Sequence, residues 1–201
     1  MRIFTKTAKA VPILSRSLLV AAGLALAAHP ALAERASPSA PSAARTALPA
    51  LAGPVLLTVT GRIAGAEGTG DSPGGDSPGV AKFDAARLAA LPRREFTTST
   101  IWTEGVQSFS GVELRSLIDH LGVSSGTLKI TAVNDYSIQI PVSEVAAGGA
   151  LLADLRDGKP MTVRDKGPLW LVYPYDSASE FRNEVVYSRS VWQVDRVEVL
   201  P

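Results

Sequence analysis

Apolar and polar side chains alternate over short runs through most of this chain, and helical spacing surfaces only briefly. Val55-Leu-Leu-Thr-Val-Thr60 reads as a strand. Asp84 is placed to cap a helix running to Leu91, where Pro92 stops it. Glu95 to Trp102 is Thr-rich and extended. Ser110-Gly-Val-Glu113 has the spacing of a capping box, in which the Ser accepts from an amide while the Glu reaches back. The helix it would open carries Leu114, Leu117, Ile118 and Leu121 on one face and ends at Gly122. Leu128 to Val133 and Tyr136 to Ile140 flank Asn134-Asp135, which reads as a two-residue hairpin turn. Pro141 to Ala147 reads as a helical turn. Met161 to Val163, Leu169 to Tyr173 and Arg196 to Leu200 are further strand candidates. Strands predominate and no regular strand–helix–strand repeat occurs. The predicted class is α+β, with mixed or antiparallel sheets and few short helices.

The pattern is different before Val55. Residues 1–33 combine basic Arg2, Lys6, Lys9 and Arg16 with an apolar stretch from Leu18 to Ala28 and a small-x-small site at Ala31-Leu32-Ala33. That order predicts a secretory signal cut after Ala33. Residues 34–53 are rich in Ala, Pro and Ser and read as a flexible tether, leaving 54–201 as a single domain. Inside it, Gly70-Asp-Ser-Pro-Gly74 repeats directly as Gly75-Asp-Ser-Pro-Gly79, so 65–79 reads as a mobile loop. A phosphate-cradling loop should lead into a helix, and this one leads only to Val80–Phe83.

Signal removal changes the charge. The remaining chain keeps 16 of 20 Lys and Arg against all 19 acids, about −3 rather than +1. No basic stripe remains to attract nucleic acid. No second hydrophobic span follows the signal, so no membrane span is expected after cleavage and the predicted location is the periplasm. The chain has no cysteine, which removes thiolate metal ligands, iron–sulfur clusters and thiol nucleophiles. Once His29 leaves with the signal, His120 is the sole histidine, on the helix face opposite the leucines. A Ser-His-Asp triad then lacks a base, and no Gly-x-Ser-x-Gly elbow occurs.

Candidate chemistry concentrates around residues 164–176. Arg164, Asp165 and Lys166 precede Gly167-Pro168, and an apolar, aromatic run follows to Pro174 and Tyr175-Asp176. A short strand bordered by cations at one mouth and by Tyr173 and Tyr175 at the other can wall a pocket. Trp102, Tyr136, Trp170, Tyr173, Tyr175, Tyr187 and Trp192 form an aromatic set at strand ends and loops, suited to core and rim packing or to ligand contact. Asn134 and Asp135 lie beside Tyr136 at the predicted turn.

From Trp102 onward the order of motifs resembles the molybdopterin-binding oxidoreductase domain, with a sulfite-oxidase-type fold, over most of Glu95 to Pro201. Phe109-Ser-Gly-Val-Glu-Leu-Arg-Ser-Leu-Ile resembles the family's "GVPLRDLL" element. Thr131 to Tyr136 followed by Ile140-Pro-Val-Ser143 resembles its "DGY…IPL" hairpin. Lys166-Gly-Pro-Leu169 to Pro174 resembles its "HGxPLRLVxP" strand, and Ser190-Val-Trp192 through Val199 its closing element. The resemblance implies a molybdopterin cofactor whose metal is held by a Cys. That place falls near Ser99, and the family's Arg and His positions carry Trp170 and Lys166. A hydroxyl is a poorer ligand than a thiolate for such a metal. No Arg-Arg pair precedes the apolar stretch, so the folded, cofactor-loaded export route is not indicated either.

Two readings follow. The first is a non-redox periplasmic module that binds a small ligand, or a periplasmic or membrane protein, between the Asn134–Tyr136 turn and the Lys166–Tyr175 strand. Its ligand-binding candidates are Trp102, Asn134, Asp135, Tyr136, Arg164, Lys166, Trp170, Tyr173 and Tyr175, with no catalytic residue, metal or cofactor expected. The alternative is a degenerate molybdopterin oxidoreductase that holds its cofactor without a Cys ligand.

Overall fold

The computed structural model describes residues 47–64 and 79–201. The expected signal, most of the tether and nearly all of the Gly-rich stretch lie outside those residues. The described part carries strands β1 (Leu57–Gly61), β2 (Gly79–Phe83), β3 (Arg93–Ser99), β4 (Val106–Glu113) and β5 (Thr127–Ala132). β6 (Ser137–Pro141), β7 (Leu151–Arg156), β8 (Lys159–Pro160), β9 (Trp170–Val172) and β10 (Val194–Leu200) follow. The helices are α1 (Ala85–Ala90), α2 (Leu114–His120) and α3 (Glu184–Ser188).

One sheet runs β2-β1-β10-β5-β6 and the other β3-β4-β7-β8, with β9 paired to the other end of β7. Among the described strands only β1 and β10 pair in parallel, so the first sheet is mixed and the second antiparallel. The fold class is therefore α+β with few short helices. Alternation explains the first sheet: Leu57 and Val59, Leu128 and Ile130, and Val197 and Val199 are buried, whereas the residues between them are not. A single hydrophobic cluster takes in side chains of both sheets, with Trp170 and Phe109 at its centre, rings 5.3 Å apart and nearly perpendicular.

Asp84 caps α1, accepting from the Arg87 amide at 2.9 Å. Its other oxygen accepts from the amides of Ala52 and Gly53, which ties residues 52–53 to the domain. Leu114, Leu117, Ile118 and Leu121 are buried as their spacing predicts, and Gly122 closes α2 with φ +68°.

Three expectations are corrected. Ser110 to Glu113 is the end of β4 and no capping box: Glu113 accepts from Arg94 at 3.2 Å and from the Gly148 amide instead. The β5–β6 turn holds three residues. Asp135 donates its amide to Ala132 across a tight turn and takes φ +66°, the left-handed position that such three-residue loops require. Met161 to Val163 is not a strand, because Thr162 folds the chain back: its carbonyl accepts from Asp165 and Gly167, and its hydroxyl donates to Asp165. The strand pattern also misses β7, β8 and the first half of β4. β7 pairs with β4, β8 and β9 and organises the second sheet.

Candidate functional site

Where β3 ends, the chain is fastened to the exit of β9. Ser99 donates its amide to Asp176 Oδ2 at 2.5 Å and its hydroxyl to Oδ1 at 2.9 Å. In return the Asp176 amide donates to Thr98 Oγ1 at 3.0 Å. The Ser99 amide, followed by the Ser99 hydroxyl, holds the Asp176 carboxyl below the usual carboxylate range. Arg182 braces the same turn, donating to the Tyr175 carbonyl at 2.8 Å. Ser99 is thus a donor locked onto a carboxylate.

Three residues further on, Trp102 is the hub of the aromatic set. Its ring meets Trp170, Tyr175, Tyr187 and Trp192 edge-on, with centroids 5.9–6.2 Å away. Perpendicular contacts let ring edges of positive potential face the π clouds of their neighbours. Trp170 and Tyr175 are buried beneath it, and Tyr173 is 8% exposed, so these three lie inside the fold and not on its rim. Among the described residues, the Trp170 Nε1–H has no hydrogen-bond partner. Tyr175 donates to Ser190 Oγ at 2.6 Å, and Ser190 donates to the Val186 carbonyl at 2.8 Å. Burial pushes the Tyr175 phenol up, and that of Tyr173 to about 12.

The segment after α3 explains why the strand 166–175 does not wall the cleft. Leu171 donates to the Val191 carbonyl at 2.7 Å and Val194 to the Leu169 carbonyl at 3.0 Å, while Trp170 and Trp192 form a bridge. Residues 191–194 therefore cover β9 and present Trp192 outward, 37% exposed. Asn183 starts α3 by accepting from the Val186 amide at 3.0 Å, which places Tyr187 and Ser188 beside Trp102.

Between this segment and the β5–β6 turn lies a cleft of about 360 Å³. Trp102, Tyr136, Tyr187 and Trp192 supply its rings, and Asn134, Ser188 and Ser190 its polar groups. Of the predicted residues, Trp102, Asn134 and Tyr136 meet there. Lys166, with φ +73°, rests its ammonium 4.5 Å from the Trp192 ring centre and 5.6 Å from that of Trp170. Asp135 turns away to an ion pair with Arg196 at 2.7 Å and lines a shallow groove with Thr58, Thr60 and Lys129 on the sheet face. Arg164 is exposed in the turn before Lys166. The cleft residues outside the predicted site are Ala132, Tyr187, Ser188, Ser190, Val191 and Trp192. The two rings belonged to the aromatic set, but α3, which carries Tyr187 and Ser188, was unpredicted.

Among the described residues, no group of three or more His, Asp or Glu side chains could hold a metal ion. No protein-family model matches the chain, and no curated protein matches it. One solved structure with a similar fold is the sulfane dehydrogenase SoxCD from Paracoccus pantotrophus, at a TM-score of 0.48 and 18% identity. The match covers 72% of this chain and 37% of that one, so this chain spans well under half of that chain's length.

Proposed function

We propose that this protein is a periplasmic, non-redox binding module that takes a small ligand in the cleft between the β5–β6 turn and the Tyr187–Trp192 segment. The observation that carries this reading is the cleft itself: four aromatic rings and three neutral polar side chains converge on one concavity. The rings supply apolar contact area, while the Asn134 amide and the Ser188 oxygen, whose proton goes to the Val185 carbonyl, offer directional hydrogen bonds.

A molybdenum cofactor does not fit the donor set. The chain has no cysteine, and the hydroxyl nearest the family's ligand position, Ser99, is bonded to the Asp176 carboxylate. That carboxylate is held in its charged form, and placing an anionic cofactor against it would bring like charges together. Exposed apolar side chains next in the chain to lining residues, Ile101 at 65% beside Trp102 and Val133 at 53% beside Asn134, favour a second reading in which a protein partner docks over the same cleft.

The test has two arms. Elemental and pterin analysis of the native protein should find neither at stoichiometric level; stoichiometric molybdenum would overturn the reading. Trp102→Ala and Tyr136→Ala should abolish capture of small molecules from a periplasmic extract, read by mass spectrometry after denaturation, with the variants still folded. Capture unchanged in both variants would remove the cleft from the proposal.

A further inference from the structure

We infer that the cleft selects a ring-bearing ligand with an O–H or N–H donor on its edge, and that Ser188 Oγ is the acceptor that reads this donor. The inference rests on the reading that the cleft binds a small ligand. It follows from where the protons of the lining groups already go. Ser188 donates its hydroxyl to the Val185 carbonyl at 2.8 Å, so toward a ligand its oxygen can only accept. Ser190 is committed twice, donating to the Val186 carbonyl and accepting from Tyr175, and it is buried. Asn134 Oδ1 accepts from the Tyr136 amide at 3.3 Å, which leaves its NH₂ to serve an acceptor on the ligand.

The same residues fix where the donor of the ligand would go. The Tyr136 hydroxyl reaches the Ser188 carbonyl at 3.5 Å, so the β5–β6 turn and the end of α3 meet across the cleft at Ser188. That carbonyl belongs to the last turn of the helix, where carbonyls have no partner within the helix, and the tyrosine supplies one. Ser188 is exposed, and its Oγ stays open beside that contact. A ligand offering acceptors alone would cover this oxygen and leave it dry and unpaired. That disfavours ethers, esters and proline-rich peptides, which lack an N–H at each proline. A ring with a donor on its edge can instead lie against the aromatic side chains and give its proton to Ser188. The volume of about 360 Å³ is at the small end for ligand sites, which sets the limit at about two fused rings.

Isothermal titration calorimetry on the purified protein with indole and benzothiophene tests this. The two have nearly the same shape, and only indole carries an N–H. A net hydrogen bond contributes about 1 kcal/mol, so Ser188→Ala should lower the ratio of indole to benzothiophene affinity roughly fivefold. Ser188→Thr keeps the oxygen and should hold the wild-type ratio. Ser188→Val has the shape of Thr without the hydroxyl and should lower the ratio as Ala does, which repeats the test should the Ala variant melt early. A ratio unchanged in Ala and Val, or lowered as far in Thr as in Val, would overturn the assignment of Ser188. Absence of binding by both probes to the unaltered protein would instead overturn the ligand-cleft reading, and the inference with it.

Discussion

The Tyr175–Ser190–Val186 relay makes an asymmetric prediction, because its two hydroxyls differ in what each leaves behind. Tyr175 is 2% and Ser190 3% exposed, and the hydrogen bond between them is 2.6 Å. In Tyr175→Phe, Ser190 loses an incoming donor yet still donates to the Val186 carbonyl, so one net hydrogen bond is lost, about 1 kcal/mol. In Ser190→Ala the phenol stays buried with no acceptor, and the desolvation of that group adds to the lost bond, about 2–3 kcal/mol in all. The double variant has no stranded hydroxyl. It should lose about 1–2 kcal/mol, well short of the sum of the single effects, which gives a coupling of roughly 1–2 kcal/mol. Urea denaturation reads this directly as shifts in the midpoint at constant slope. If Ser190→Ala costs no more than Tyr175→Phe, or if the two effects add, the relay does not hold the Val186–Trp192 segment.

Two further outcomes follow from backbone packing and from charge. Gly111 sits at a register shift between β4 and β7, and a Cβ there would lie 2.1 Å from the Leu152 carbonyl oxygen and 2.6 Å from the Ala153 Cα. Both obstacles are backbone, so Gly111→Ala should lower stability by about 3 kcal/mol or more, visible as a large fall in melting temperature; a shift under two degrees would refute the close approach. The Arg87 amide, then those of Ala52 and Gly53, bring the Asp84 carboxyl down from 3.8 to about 2. A depressed folded value stabilises above pH 3.8 and loses that contribution as pH falls toward 2. Asp84→Asn should flatten this acid limb in thermal melts from pH 5 to 2, since its NH₂ cannot accept from residues 52–53; an unchanged limb would show that the clamp carries no linkage.

The local part of the fold was legible because local chemistry decides it. Asp84 before a short helix, the leucine stripe of α2 and the alternation in β1, β5 and β10 each depend on neighbours within a few residues. The failures share a cause. Leu151-Leu-Ala-Asp-Leu-Arg156 has no alternation because β7 is covered at its start and emerges at its end, with burial falling along the strand. Nothing within six residues of sequence records that gradient. Ser110 to Glu113 satisfies a capping pattern, yet β3 and β7 flank these residues on both sides, and ladder pairing outweighs a cap. Asp135 shows the opposite balance: the turn was found from Asn-Asp, but only the positive φ reveals that it holds three residues.

At the candidate site, the aromatic set was identified but its layering was not, and the layering decides which residues can act. Ser99 and Asp176 are 77 positions apart in the chain, so no spacing argument could show the hydroxyl already taken. Trp170 was expected on a pocket wall, whereas residues 191–194 pair along β9 and bury it. The consequence reaches the function. Trp102 rests edge-on against buried Trp170 and Tyr175, and Tyr175 in turn holds Ser190 through the relay. The rings that face the cleft are therefore set in place by buried rings that do not line it. An aromatic surface fixed in this way can bind with little ordering penalty, which suits recognition of a small rigid ligand better than it suits a reaction needing a mobile ligating group.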